Sequence, residues 1–124
     1  MYTLAIRRSF IAQRLPAAGG REGGLRSHHY LAEFMLEGEG LDSNGYLVDF
    51  EDLGVQVEAV IDAFRDQTLD EIDAFAGLHP SIELFSRILC QRLDDLLYAP
   101  NVAAISIKLW EDEQAWAAYD LERA

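Results

Sequence analysis

The stretch GLRSHHYLAEFMLEG, residues 24–38, decides how this chain is read. His28, Tyr30, Ala32, Phe34 and Leu36 fall on one side of an extended segment, while His29, Glu33 and Glu37 fall on the other. Period-two alternation of this kind marks a β-strand with one buried face, and here the buried face begins with a histidine. Two adjacent histidines after a glycine-rich stretch raise the question of a metal.

Working outward, LPAAGGREGGL (15–25) carries four glycines and a proline in eleven residues, which predicts a flexible loop over 16–25. Before it, TLAIRRSFIAQR (3–14) alternates as a strand, with Leu4, Ile6, Phe10 and Ala12 as landmarks. After the central stretch, Asn44-Gly45 in LDSNGYLVDF favours a tight hairpin followed by a short strand through Val48. Asp49 suits the N-cap of a helix whose apolar positions are Leu53, Val57, Val60, Ile61 and Phe64. Pro80-Ser81 opens a second helix, proline suiting its first turn, with Ile82, Phe85, Ile88, Leu89, Leu93 and Leu96 inward. VAAISIKLW, a turn at EDEQ and AWAAYDL complete the pattern as two strands. The order strand, strand, helix, helix, strand, strand predicts a single α+β domain over 1–124, an antiparallel sheet with two helices on one face.

The formal net charge of −12 argues against nucleic acid as the main partner, since phosphate binding needs a cationic face. The charge is uneven: Arg7, Arg8, Arg14, Arg21 and Arg26 lie in the first 26 residues, where Glu22 is the only acid. Such an arm either neutralises acidic surface or lines a pocket for an anionic small molecule. No apolar run is long enough to cross a bilayer and the start has no signal-peptide layout, so no membrane partner and a cytoplasmic location are expected. Cys90, alone in an apolar helical pattern, reads as a buried, inert thiol.

Several strings, FIAQR (10–14), EGGLRSHHY (22–30), GYLVDF (45–50), FRDQTLD (64–70), PSIE (80–83) and LWEDEQAWAAY (109–119), extend over nearly the whole chain. Together with the element order they resemble the tunnelling-fold family of 6-pyruvoyl-tetrahydropterin synthase and 6-carboxytetrahydropterin synthase. Its patterns are F-x-A-x-H, C-x-x-x-H-G-H-N-Y, G-x-x-x-D-F, L-D-H-x-x-L-N, P-T-x-E and a late E-T pair. The resemblance implies zinc held by three histidines. Carried over, the first falls on Arg14 when aligned on Phe10, or on Gln13 when aligned on the Arg-Leu-Pro that follows. The second falls on Arg26, and the third is His28. A guanidinium has no lone pair to give and repels a dication, so no cofactor is expected although the family makes zinc a possibility.

The family's cysteine position falls on Glu22, and the Asp-His pair that activates it falls on Arg65 and Asp66. A variant subgroup with glutamate in the cysteine's place resembles an aldolase releasing the dihydroneopterin side chain. On that reading Glu22, His28 and Asp66 are the catalytic candidates, Glu22 being alternatively a loop carboxylate ion-paired to Arg14 and Arg26. Glu111 matches the glutamate that grips the amino-pyrimidinone edge of a pterin through two parallel hydrogen bonds. Glu83 also matches a family position, although an acid in a first helical turn has a purely helical rationale. Arg14 and Arg26 are the candidates for an anionic side chain on the ligand.

Three functions follow as expectations. The first is a lyase or aldolase acting on a dihydroneopterin-type pterin without zinc, the second a silent pterin- or purine-binding or regulatory paralogue, the third a structural oligomer. The resemblance further implies a homo-oligomer, a trimer or a hexamer, in which the sheets form a barrel. An open sheet face bearing Leu31 and Met35 accords with that.

Overall fold

The alternating stretches become four strands, and the two 3.6-residue patterns become two helices. The structure, a computed structural model, describes residues 1–16 and 24–123; Glu22 and most of the loop predicted over 16–25 lie outside them. In chain order the elements are β1 (Tyr2–Arg14), β2 (Arg26–Gly38), α1 (Phe50–Asp62), α2 (Ile82–Leu96), β3 (Ala104–Trp110) and β4 (Trp116–Glu122). Two short 3-10 turns, Leu69–Glu71 and Asp73–Phe75, lie between the helices. The sheet is antiparallel throughout, in the order β1-β2-β3-β4.

One face of the sheet is covered. Phe10, Ala12, Tyr30, Phe34, Leu36, Ile105, Ile107 and Leu109 join Leu53, Val57 and Ile61 of α1 and Phe85, Leu89 and Leu93 of α2 in one core. Phe85 is its hub, its ring lying 5.2 to 5.9 Å from those of Phe10, Tyr30, Phe64 and Phe75. Burying such a ring removes apolar area from water, and its tilted neighbours add favourable quadrupole contacts. Cys90 is fully buried there, its thiol pushed up to about 12 by burial first and then by Asp94 and Asp120.

Helix termini follow the expected chemistry, with one adjustment. The Asp49 carboxylate accepts from the Glu51 N–H at 2.8 Å and caps α1. At α2 the cap is Ser81, whose hydroxyl accepts from the Leu84 N–H at 3.1 Å, so Pro80 precedes the helix instead of sitting in its first turn. Leu96, expected inward, is about half exposed at the last turn of α2. At the far end of the chain, Arg123 donates to the carbonyls of Leu97 (2.7 Å) and Ala99 (2.9 Å) and to Asp94 (2.8 Å), fastening the C-terminus of α2 to the sheet.

The hairpin expected at Asn44-Gly45 is a loop without a following strand. The Asp42 carboxylate accepts from the N–H groups of Asn44 and Tyr46, and Asn101 donates to the carbonyls of Gly40 and Leu47. The reason lies in strand order: β2 already has β1 on one edge and β3 on the other, so residues 46–48 find no free edge of β2 to pair with. Gly38 ends β2 where a Cβ would collide with the Asn101 carbonyl, which fixes glycine at that position.

Candidate functional site

At one end of the covered face, the apolar alternation of β1 and β2 gives way to charge. Register pairs Phe10 with Tyr30, Ala12 with His28 and Arg14 with Arg26. Arg14, Arg26 and His28 therefore share the face of Phe10 and Tyr30, whereas Gln13 lies on the opposite face and donates to the Ser27 hydroxyl. Geometry thus selects Arg14 over Gln13 as the partner of His28 and Arg26.

Glu111 follows β3 and reaches the same end of the sheet. Its Oε2 accepts from Arg14 Nη2 at 3.0 Å, with Arg14 only 15% and Glu111 25% exposed at their side chains. The Arg14 Nε is buried and has no acceptor among the described residues. His28 is pulled below its ordinary pKa by burial first, then by the Arg14 charge; Glu111 opposes this, Arg26 adds to it, and Asp112 opposes it again. The imidazole is accordingly held neutral near pH 7, able to accept a proton. Burial pushes the Tyr30 phenol up from its usual value, partly offset by Arg14, so it stays a protonated donor.

The other side of Glu111 borders the open sheet face. A cleft of about 630 Å³ lies there, lined by Ser9, His29, Leu31, Trp110, Glu111, Asp112 and Glu113. That volume lies in the range of small-molecule sites, and Trp110 supplies a flat apolar wall. Lys108 lies over the rings of Trp110 and Trp116, at 5.2 and 4.2 Å.

The remaining candidates are dispersed. Asp66 is exposed in the turn after α1 at φ 59°, its N–H donating to the Ile11 carbonyl at 2.7 Å, and no hydrogen bond or ion pair joins its side chain to the cluster. Arg65, beside it, is committed to Glu58 (2.9 Å) and to Asp62. Glu83 is exposed in the first turn of α2, with no ion pair among the described residues. Glu22 lies outside the described residues. Two contributors were not singled out from sequence. Tyr30 is two residues beyond His28 on the same face, a relation the alternation already contained. Asp70, which accepts from the Leu15 N–H at 2.8 Å, is brought beside β1 by the Gln13–Thr68 bridge, a contact with no local sequence signal.

The donor set does not suit a family-type zinc ion. His28 is flanked by two guanidinium positions, and among the described residues no three His, Cys, Asp or Glu side chains converge.

A four-stranded antiparallel sheet carrying two helices on one face, in the order ββααββ, is the tunnelling fold. The sequence model of the 6-pyruvoyl tetrahydropterin synthase family matches residues 3–122, and the chain belongs to that family. Among solved structures, 6-pyruvoyl tetrahydropterin synthase of Caenorhabditis elegans superposes with a TM-score of 0.82 at 18% identity, over 98% of this chain and 96% of that one. A catalytic-residue mutant of the Plasmodium vivax enzyme gives 0.80 at 16% identity, over 98% of both chains. An uncharacterized Wolinella succinogenes protein gives 0.68 at 15%, over 95% of this chain and 97% of that one. No curated protein matches the chain in sequence.

Proposed function

We propose that this chain binds a dihydroneopterin-type pterin without the usual zinc and carries lyase- or aldolase-type chemistry on it. The observation that carries the reading is the part-buried Arg14–Glu111 pair beside His28, with Glu111 also bordering the cleft walled by Trp110. A carboxylate accepts up to four hydrogen bonds, which suits Glu111 to a guanidine-like edge with two parallel N–H donors. In this reading Glu111 grips the heterocycle and Arg14 and Arg26 hold an anionic side chain. Neutral His28 accepts a proton, alongside Glu22 or Asp66. Guanidinium groups keep positive charge in the cavity but lack the Lewis acidity of a metal. Assembly into a cytoplasmic homo-oligomer, trimer or hexamer, belongs to the same proposal. It is supported by the uncovered sheet face and, among the described residues, by the unpaired outer edge of β4 and that of β1 before Ile11.

A second reading, a silent binding or regulatory paralogue, is favoured by the exposed position of Asp66 and the engagement of Arg65 by Glu58 and Asp62. Calorimetric titration with 7,8-dihydroneopterin separates both readings from a purely structural role. Glu111→Ala is expected to weaken binding by about tenfold or more, the loss of a charge-assisted pair of bonds. Unchanged affinity in that variant would defeat both readings. Release of a side-chain product by wild-type protein then distinguishes the enzyme from the silent binder.

A further inference from the structure

The Arg14 guanidinium is half engaged. Its Nη2 donates to Glu111 Oε2 at 3.0 Å, while the adjacent Nε is buried with no acceptor among the described residues. Nε and Nη2 form the side-on fork by which arginine grips an oxyanion, with two parallel N–H groups aimed at two oxygens. Among the described residues only Nη2 meets a carboxylate, the Tyr30 hydroxyl being the other group that faces Arg14. Directly across the β1–β2 ladder stands Arg26, an exposed second cation whose side chain has no ion pair among the described residues. An anion that reaches this end of the sheet finds an Nε with no acceptor among the described residues, the neighbouring Nη2 and a second guanidinium. Its forked contact takes the same Nη2 from which Glu111 draws its bond. Glu111 Oε2 is then freed for the two N–H donors of a guanidine-like edge.

We propose that Arg14 makes the heterocycle grip of Glu111 conditional on an anion: an oxyanion seated on Arg14 and Arg26 draws Arg14 off Glu111 and opens that carboxylate. The site therefore selects ligands that present an anionic group close to an amino-pyrimidinone edge, or accepts the two pieces cooperatively. This rests on the reading of Glu111 as the acceptor for the heterocycle. Arg14 is thereby a specificity-determining residue acting through Glu111. Linkage requires the effect to be reciprocal, the neutral heterocycle tightening the anion as much as the anion tightens the heterocycle.

The test is calorimetric titration of the full chain with uncharged 7,8-dihydroneopterin, with and without inorganic phosphate, at ionic strength matched with chloride. Phosphate is expected to tighten the pterin by roughly 5-fold or more, within the usual span of coupling between sites. Arg14→Gln is expected to bind the pterin more tightly than wild type in the absence of phosphate and to lose the phosphate effect. Arg14→Lys, which keeps the charge but not the fork, is expected to lose the effect as well. Phosphate that leaves pterin binding unchanged or competes with it, while Glu111→Ala still abolishes binding, would overturn this inference and leave the proposed function standing. Absence of pterin binding by wild type, with or without phosphate, and by Arg14→Gln would overturn both.

Discussion

The two ends of the covered sheet face are built from the same strands and behave differently. At one end β1 and β2 present Phe10 and Tyr30 to the ring of Phe85 in the buried apolar core, Tyr30 also lying 6.0 Å from the His28 ring. Only two to four residues further along, the same face presents His28, Arg14 and Arg26, and the helices no longer supply an apolar cover. The first end contributes stability through area removed from water. The second carries charges that are partly desolvated, a donor without a partner among the described residues and a histidine held neutral, which are features of a site organised for something other than stability.

That contrast breaks first at Phe85. Phe85→Ala is expected to lower unfolding stability by about 3–5 kcal/mol in denaturant titrations, because four rings lose their common neighbour. At the other end, a double-mutant cycle on Arg14→Gln and Glu111→Gln is expected to give a coupling of about 1–2 kcal/mol, since the pair is part-exposed and water screens it. Asp49→Ala, away from both ends, removes the α1 cap and is expected to cost about 1 kcal/mol.

Smaller effects sharpen the comparison. His28 has a folded pKa below its ordinary 6.5, so the unfolded chain binds the extra proton first. The stability from its neutral form is complete above pH 6.5 and is lost as pH falls through and below that value. Thermal unfolding between pH 7.5 and 5 is therefore expected to show a decline that is shallower in His28→Asn. Cys90, with its thiol pushed up to about 12, is expected to remain unmodified by a thiol reagent at neutral pH until the protein is unfolded.

Much of the architecture was readable because periodicity is local. The alternation at Tyr30, Ala32, Phe34 and Leu36 and the spacing at Leu53, Val57 and Ile61 report their buried faces directly. The loop after Asn44-Gly45 departs from the hairpin its local sequence favours because a free edge on β2 depends on β3, far along the chain. Arg123 at the end of α2 and Asp70 beside Leu15 are likewise long-range contacts. Within the site, His28, Arg14, Arg26 and Glu111 were identified by matching family positions, but the choice of Arg14 over Gln13 needed the Arg14–Arg26 register. The alternation places Tyr30 on the face of His28, and its ring meets both Phe85 and the charged cluster.

The central physical claim is that guanidinium groups stand where the fold's relatives are expected to hold a metal. Zinc quantification on protein expressed with added zinc and purified without chelator tests it most directly. Zinc far below one equivalent per chain, unchanged in His28→Ala, is the expected result. One tightly held equivalent that disappears in His28→Ala would contradict the claim.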